Sequence, residues 1–186
     1  MATQSMVNGV DVEQLVATVN AVKSNPALAR FTFRATSDWV DGARSRTAIQ
    51  GFYGAGQEDT SRTKPFVLEG DEPPVLLGSN TAPNAVEAVL HALASCLAVG
   101  FIYNAAAQGI KVESPQFTLE GDLDLHGFLG LSETTRAGFQ NIRLSYRVKA
   151  DAPREKIVAL CDYVQKTSPV LDILRNPVPV RVALEN

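Results

Sequence analysis

The stretch from Asn84 to Gln108 constrains this chain more than any other. It reads as one long helix. Asn84, with Glu87 three residues on, has the spacing of a capping box, and Gly109 supplies the stop. Its residues are apolar on most sides, which predicts a helix buried in the middle of a fold and not laid on its surface. A chain built around such a helix must surround it with other elements.

Those elements can be read on either side. Asp11 and Gln14 have capping-box spacing at the start of a helix with Val12, Leu15, Val16, Val19 and Val22 on one face, ended by Asn25-Pro26. Arg30 to Thr36 alternates as a strand, and Ala43 to Tyr53 reads as a second after the Asp41-Gly42 turn. A polar loop from Gly54 to Lys64, a short strand from Pro65 to Leu68 and an ordered loop from Gly70 to Pro83 lead to the long helix. Beyond it, Val112 to Asp124 and Ile142 to Lys149 read as strands around a Gly-containing loop. Pro153 to Lys166 reads as an amphipathic helix with Ile157, Leu160, Cys161 and Val164 inward. Ser168-Pro169 opens a further short helix, and Val178 to Leu184 is expected to close the chain as a strand. The order gives an α+β class.

At 186 residues the chain suits one domain, or two closely merged halves. The net charge of -3, with no Lys/Arg run, argues against a nucleic-acid partner. The longest apolar run, Ala92 to Ile102, is interrupted by Ser95 and Gly100 and is too short to span a membrane. Residues 1–9 lack the pattern of a signal peptide, so a cytoplasmic protein is expected. Its two cysteines, Cys96 and Cys161, are then expected as free thiols. Two histidines, His91 and His126, without clustered Cys/His ligands predict no metal. No nucleotide fingerprint or Gly-x-Ser-x-Gly elbow is present, and no cofactor is expected.

Two stretches carry a family resemblance. Asn84-Ala-Val-Glu87 running into Ala92-Leu-Ala-Ser-Cys96-Leu97 resembles the start and the reactive-cysteine turn of the OsmC/Ohr family's central helix. Thr167-Ser168-Pro169 to Arg175 resembles the segment where many members have Cys-Pro opening a helix. Between them, Glu120 to Gly130 is similar to one branch of OsmC-like proteins. The resemblance implies an OsmC/Ohr-like fold, with antiparallel sheets around the long helix and two chains intertwined as a homodimer. It covers roughly residues 28–186, with 1–27 as a helical extension of a single domain. A stripe of Ala88, Ala92, Ser95 and Val99 on the long helix is compatible with close approach of a second helix, or with packing on the chain's own sheet.

The resemblance also implies an activity: thiol-dependent reduction of organic hydroperoxides in oxidative stress defence. Family members attack the O–O bond with a cysteine thiolate, and a second cysteine condenses with the resulting sulfenic acid. Cys96 stands at the attacking position; read without the resemblance, it is a buried helix cysteine. Ser168 stands where the second cysteine would be and cannot form a disulfide. As an N-cap its structural role is accounted for. Cys161 lies two helical turns before Ser168, about 10 Å along the axis, and a disulfide needs Cα atoms within about 7 Å. Its inward position fits a core residue. The expected route is therefore one-cysteine, with an external thiol as reductant.

The resemblance assigns an acidic residue that orients an arginine beside the thiolate. Glu87 matches it, though Glu87 is equally a capping-box residue at the third helical position. Arg44 and Arg46, just past Asp41-Gly42 and facing one way on their strand, are the candidate cations; the alternative is a solvated strand face. A Glu87–His91 surface pair is also compatible with the spacing. The rival class is a non-catalytic protein that keeps the dimer fold and binds a small apolar ligand.

Overall fold

The computed structural model describes residues 6–185. Its elements in chain order are β1 (Met6–Val7), β2 (Val10–Asp11), α1 (Val12–Ser24), β3 (Thr32–Phe33), β4 (Thr36–Asp41), β5 (Arg44–Ile49), β6 (Phe52–Gly54), β7 (Gln57–Asp59) and β8 (Phe66–Gly70). There follow α2 (Ala85–Ala107), β9 (Val112–Asp122), α3 (Leu125–Phe128), β10 (Asn141–Ala150), α4 (Arg154–Thr167) and α5 (Pro169–Arg175). The chain divides into two compact units. The first is Met1–Val12 with Leu90–Asn186, the second Glu13–Val89. Helix α2 begins in the second and runs on through the first.

The ends of α2 follow from local chemistry. Asn84 Oδ1 accepts from the Glu87 amide at 2.9 Å, and Glu87 Oε2 accepts from the Asn84 amide at 2.9 Å, closing the capping box in both directions. At the other end Gly109 takes φ +69°, where a side chain would be strained. The Gly109 amide donates to Ala106 O at 3.0 Å and the Ile110 amide to Ala105 O at 2.9 Å. That pair of bonds is a Schellman stop. By length and composition α2 could cross a membrane. A core helix meets the same test, and α2 buries Leu93, Leu97 and Phe101 within the first unit.

The first unit holds the core. Leu93, Leu97, Phe101 and Ala105, four residues apart along α2, are buried with Ile110 and with Leu160 and Val164 of α4. Strands β9 and β10 pair antiparallel from Asn141–Asp122 onward, with an irregularity between Lys149 and Ala150. Phe117, Leu119, Ile142, Leu144 and Val148 face the core at alternate positions. The opposite face is charged: Arg143 bonds Asp122 and Glu120, and Lys149 bonds Glu113. Small β1 and β2 form a hairpin at Asn8-Gly9, both at positive φ as a tight hairpin turn requires. Asn8 then clasps the exit of α2, donating to Ile110 O and accepting from the Val112 amide, each at 2.8 Å.

The second unit carries two three-stranded antiparallel sheets, ordered β3-β6-β7 and β4-β5-β8. Here the sequence expectations need correction. Arg30 to Thr36 is not one strand: β3 is only Thr32–Phe33, and a separate strand, β4, starts at Thr36. Ala43 to Tyr53 is likewise two strands, β5 and β6, split at Gln50-Gly51. Each half pairs in a different sheet, a choice that local periodicity does not encode. The polar loop contains β7, which folds back on β6 through Ala55-Gly56.

The loop after β8 is ordered around Asp71, which is 2% exposed. Its carboxylate accepts from the amides of Glu72 (2.8 Å), Ser79 (3.2 Å) and Thr81 (2.9 Å), and from Thr81 Oγ1 at 2.7 Å. One acidic side chain thus satisfies a turn of backbone that has no partner in a helix or sheet.

Two further expectations differ. Residues 176–185 form no strand, although Val178, Val180, Val182 and Leu184 alternate as one. A strand exists only through pairing, and no strand of the same chain hydrogen-bonds to this segment among the described residues. The Gly-containing loop after β9 is not irregular throughout: His126 sits in α3, whose N-cap Asp124 accepts from its amide at 2.9 Å and approaches its Nδ1 at 2.6 Å.

Candidate functional site

The pocket beside Cys96 lies wholly within the first unit. Helix α2 contributes Ser95, Cys96, Val99 and Gly100; the end of α4 contributes Val164 and Thr167; Ser168 and Pro169 complete it. Its volume is about 440 Å³. None of these lining residues is charged, and Val99, Val164 and Pro169 give it an apolar wall.

Local sequence explains why Cys96 reaches the pocket. Leu93 and Leu97 are pulled into the core, and Cys96 lies at the margin of that buried stripe, partly buried. One turn on, Gly100 keeps the space open: a Cβ added there would stand 3.1 Å from Val164 Cγ1. The Ser168-Pro169 pair shapes the far side. Proline disfavours helical backbone at the residue before it, so α4 stops at Thr167 and Ser168 is extended (φ -76°, ψ 114°). Pro169 then opens α5, and Ser168 Oγ caps it by accepting from the Leu171 amide at 3.2 Å.

These two local structures meet at one contact. Cys96 Sγ lies 3.1 Å from Ser168 Oγ, across 72 positions of sequence. Ser168 is 4% exposed, so the contact is shielded on the serine side. Both cysteines are free. Cys161 is not among the residues lining the pocket; it packs against the core cluster. Burial, and secondarily the neighbouring Asp162 carboxylate, push its thiol pKa up, which keeps it protonated and poorly nucleophilic. Near it, the Tyr146 hydroxyl is buried without a hydrogen-bond partner among the described residues, and its pKa is pushed up to about 12, by burial first and then by the Cys161 charge. Sequence reasoning did not single out Tyr146 and had no signal for it, since a Tyr on an inward strand position reads as core.

The remaining candidates lie in the second unit. Arg44 and Arg46 share a face of β5, as their spacing predicts. Arg46 sits opposite Glu69 of β8 and donates to it through Nε at 2.8 Å; both side chains are exposed. Glu87 has its carboxylate in the capping box. His91 is exposed on α2. Asp71, which no motif flagged, is held well below the usual carboxylate range, chiefly by the Thr81 amide and hydroxyl, with help from the Glu72 and Ser79 amides. Its bonds all serve the loop. Among the described residues no group of three or more His, Cys, Asp or Glu side chains is arranged to hold a metal ion.

Comparison with known proteins agrees with this architecture. The family described as OsmC-like protein matches residues 78–183, more than half of the chain. Among curated proteins none matches. A solved structure of an OsmC-like protein from Mycoplasma pneumoniae is similar over 78% of this chain and 89% of its own, with a TM-score of 0.61 at 15% identity. An organic hydroperoxide resistance protein OsmC from Legionella pneumophila is similar over 77% and 89%, with a TM-score of 0.52 at 18% identity. At such identities the structural likeness speaks for the fold: α+β, with antiparallel sheets and a long central helix. With the match over residues 78–183, this chain belongs to the OsmC-like protein family.

Proposed function

We propose that this protein reduces organic hydroperoxides through Cys96 in a one-cysteine cycle. The Cys96 thiolate attacks the distal peroxide oxygen and the O–O bond breaks. The organic alkoxide leaves and takes a proton to become an alcohol, and the sulfur becomes a sulfenic acid. A small external thiol then condenses with the sulfenic acid and releases water. A second thiol cleaves the mixed disulfide and restores Cys96.

The observation that carries this reading is the Cys96 sulfur on the wall of an apolar pocket of about 440 Å³, facing Ser168. The pocket suits the organic part of a hydroperoxide, and a serine opposite the sulfur cannot resolve the sulfenic acid. The relative from Legionella pneumophila bears the name organic hydroperoxide resistance protein, which supports the same chemistry.

The cation that the attack needs would come from β5. Arg44 is the better candidate, because Arg46 is engaged with Glu69. Glu87 serves this reading as the cap of α2, with any orienting role second to that. The working unit would be a homodimer of one OsmC-like domain per chain, with 28–186 as its core and 1–27 as an extension, acting in the cytoplasm. Support for the dimer comes from α2: Ala92, Ser95, Val99 and Tyr103 leave one side of it exposed in the single chain.

Treatment with cumene hydroperoxide followed by a sulfenic-acid trap and peptide mass analysis tests the reading. Modification centred on Cys96, and a peroxide-dependent loss of added thiol, are expected. Absence of oxidation, or equal oxidation in Cys96→Ser, overturns it. One observation favours a second reading, an apolar-ligand carrier without turnover: the residues lining the pocket include no charged side chain. Native mass spectrometry that finds a retained apolar ligand, beside a Cys96 inert to peroxide, would decide for the carrier.

A further inference from the structure

The serine opposite Cys96 has a consequence beyond its inability to form a disulfide. A hydroxyl carries one proton and two lone pairs. At Ser168 one lone pair is committed, because Oγ accepts the Leu171 amide at 3.2 Å to cap α5. The residue is 4% exposed, which leaves little room for water to compete. Its backbone is held between the last turn of α4 and Pro169, so the oxygen has a defined place 3.1 Å from Cys96 Sγ.

While Cys96 is a thiol, either group can donate across that contact. Once the sulfur loses its proton it can only accept, and the serine proton is the donor at hand. Hydrogen bonds to an ionised partner are stronger than neutral ones. The interaction therefore fixes the direction in which the sulfur presents its remaining lone pairs.

We infer that Ser168 is a positioning residue: held by its helix-capping role, its hydroxyl donates to the Cys96 sulfur and keeps the thiolate directed along the pocket wall. The inference rests on Cys96 being the reacting thiol and deepens that reading. The position that elsewhere would supply a second thiol here supplies a proton donor. The sulfenic acid formed at Cys96 then has no thiol opposite it and persists until an external thiol enters through the pocket.

The test uses the full chain and reads Cys96 directly, by the rate of iodoacetamide labelling followed with peptide-resolved mass analysis. Ser168→Gly removes the hydroxyl at little cost to the cap. Labelling at neutral pH is expected to fall about tenfold, as for loss of one hydrogen bond to a charged group. Ser168→Ala should behave alike, and Ser168→Thr, which keeps the hydroxyl, should restore the wild-type rate. A purely structural serine predicts something else: altered thermal unfolding with coincident labelling rates in all variants, and that result overturns the inference. Alkylation needs no peroxide, so a failure of the hydroperoxide reading shows up separately, as wild-type protein that is alkylated normally but does not consume cumene hydroperoxide.

Discussion

The two units of this chain solve the problem of burial in opposite ways. In the first, α2, α4 and the β9–β10 hairpin enclose Leu93, Leu97, Phe101, Ile110, Leu160 and Val164, and the outer face of the hairpin is a ladder of charges. In the second, no large apolar side chain is buried; only Gly54 and Asp71 are. Its aromatic residues stand open: Phe33 is 70% exposed and Trp39 75%. Phe31 stacks with Phe33 and with Phe52, which are tilted to each other, and Arg62 lies over Phe52 and Phe66. What orders this unit is hydrogen bonding, through strand ladders, the Asp71 loop and ion pairs such as Arg34–Glu58.

The difference teaches where each unit's stability resides. Exposed apolar area of this kind contributes little until it is covered, because the hydrophobic term scales with surface removed from water. The first unit carries its own core and, with it, the rigid contact between Cys96 and Ser168. The second, on the proposed dimer, gains its apolar burial through assembly.

That contrast can be broken by substitution. The largest effect should come from Phe101→Ala, which empties the centre of the first unit. A loss of about 3–5 kcal/mol is expected in urea unfolding, and a loss under about 1 kcal/mol would mean the core is not shared as described. A change of intermediate size is expected from Phe33→Ser combined with Trp39→Ser. Sedimentation should show dimer dissociation strengthened roughly thirtyfold or more, the equivalent of removing a ~2 kcal/mol anchor. An unchanged association constant would remove the second unit's aromatic face from the interface.

Asp71 sharpens the comparison through pH. Its carboxyl pKa is lowered in the folded chain, so folding is favoured when it is ionised. That contribution is fully present above the ordinary carboxylate value of about 3.9 and disappears as pH falls through the lower folded value. Amide exchange at Ser79 and Thr81 should accelerate in acid before exchange at Leu97 and Phe101 does, and Asp71→Asn should accelerate it already at neutral pH. Simultaneous loss of protection in both units would contradict a separately ordered loop. The smallest effect is expected from Arg143→Ala on the charged ladder, a barely measurable shift of the urea midpoint, as for exposed ion pairs. A larger loss would show the outer face of the hairpin to be more than solvated.

Elements whose determinants are local were legible beforehand. Asn84, Glu87 and Gly109 delimit α2, Ser168-Pro169 separates α4 from α5, and the alternation of Phe117, Leu119, Ile142 and Leu144 sets the inward face of the hairpin. Strand boundaries in the second unit were not, because the breaks at Arg34-Ala35 and Gln50-Gly51 depend on which sheet each half joins. The Val178 to Leu184 alternation carried a strand signal that this chain alone leaves unpaired.

By itself, the sequence determined the central helix, its two stops, the capping serine and the presence of one candidate nucleophile, since caps, turns and periodicity act over a few residues. The tertiary structure alone brings the thiol at 96 and the hydroxyl at 168 together at 3.1 Å and makes Asp71 the organiser of a loop. Those outcomes depend on helix packing and backbone closure between distant segments, and no local pattern records them.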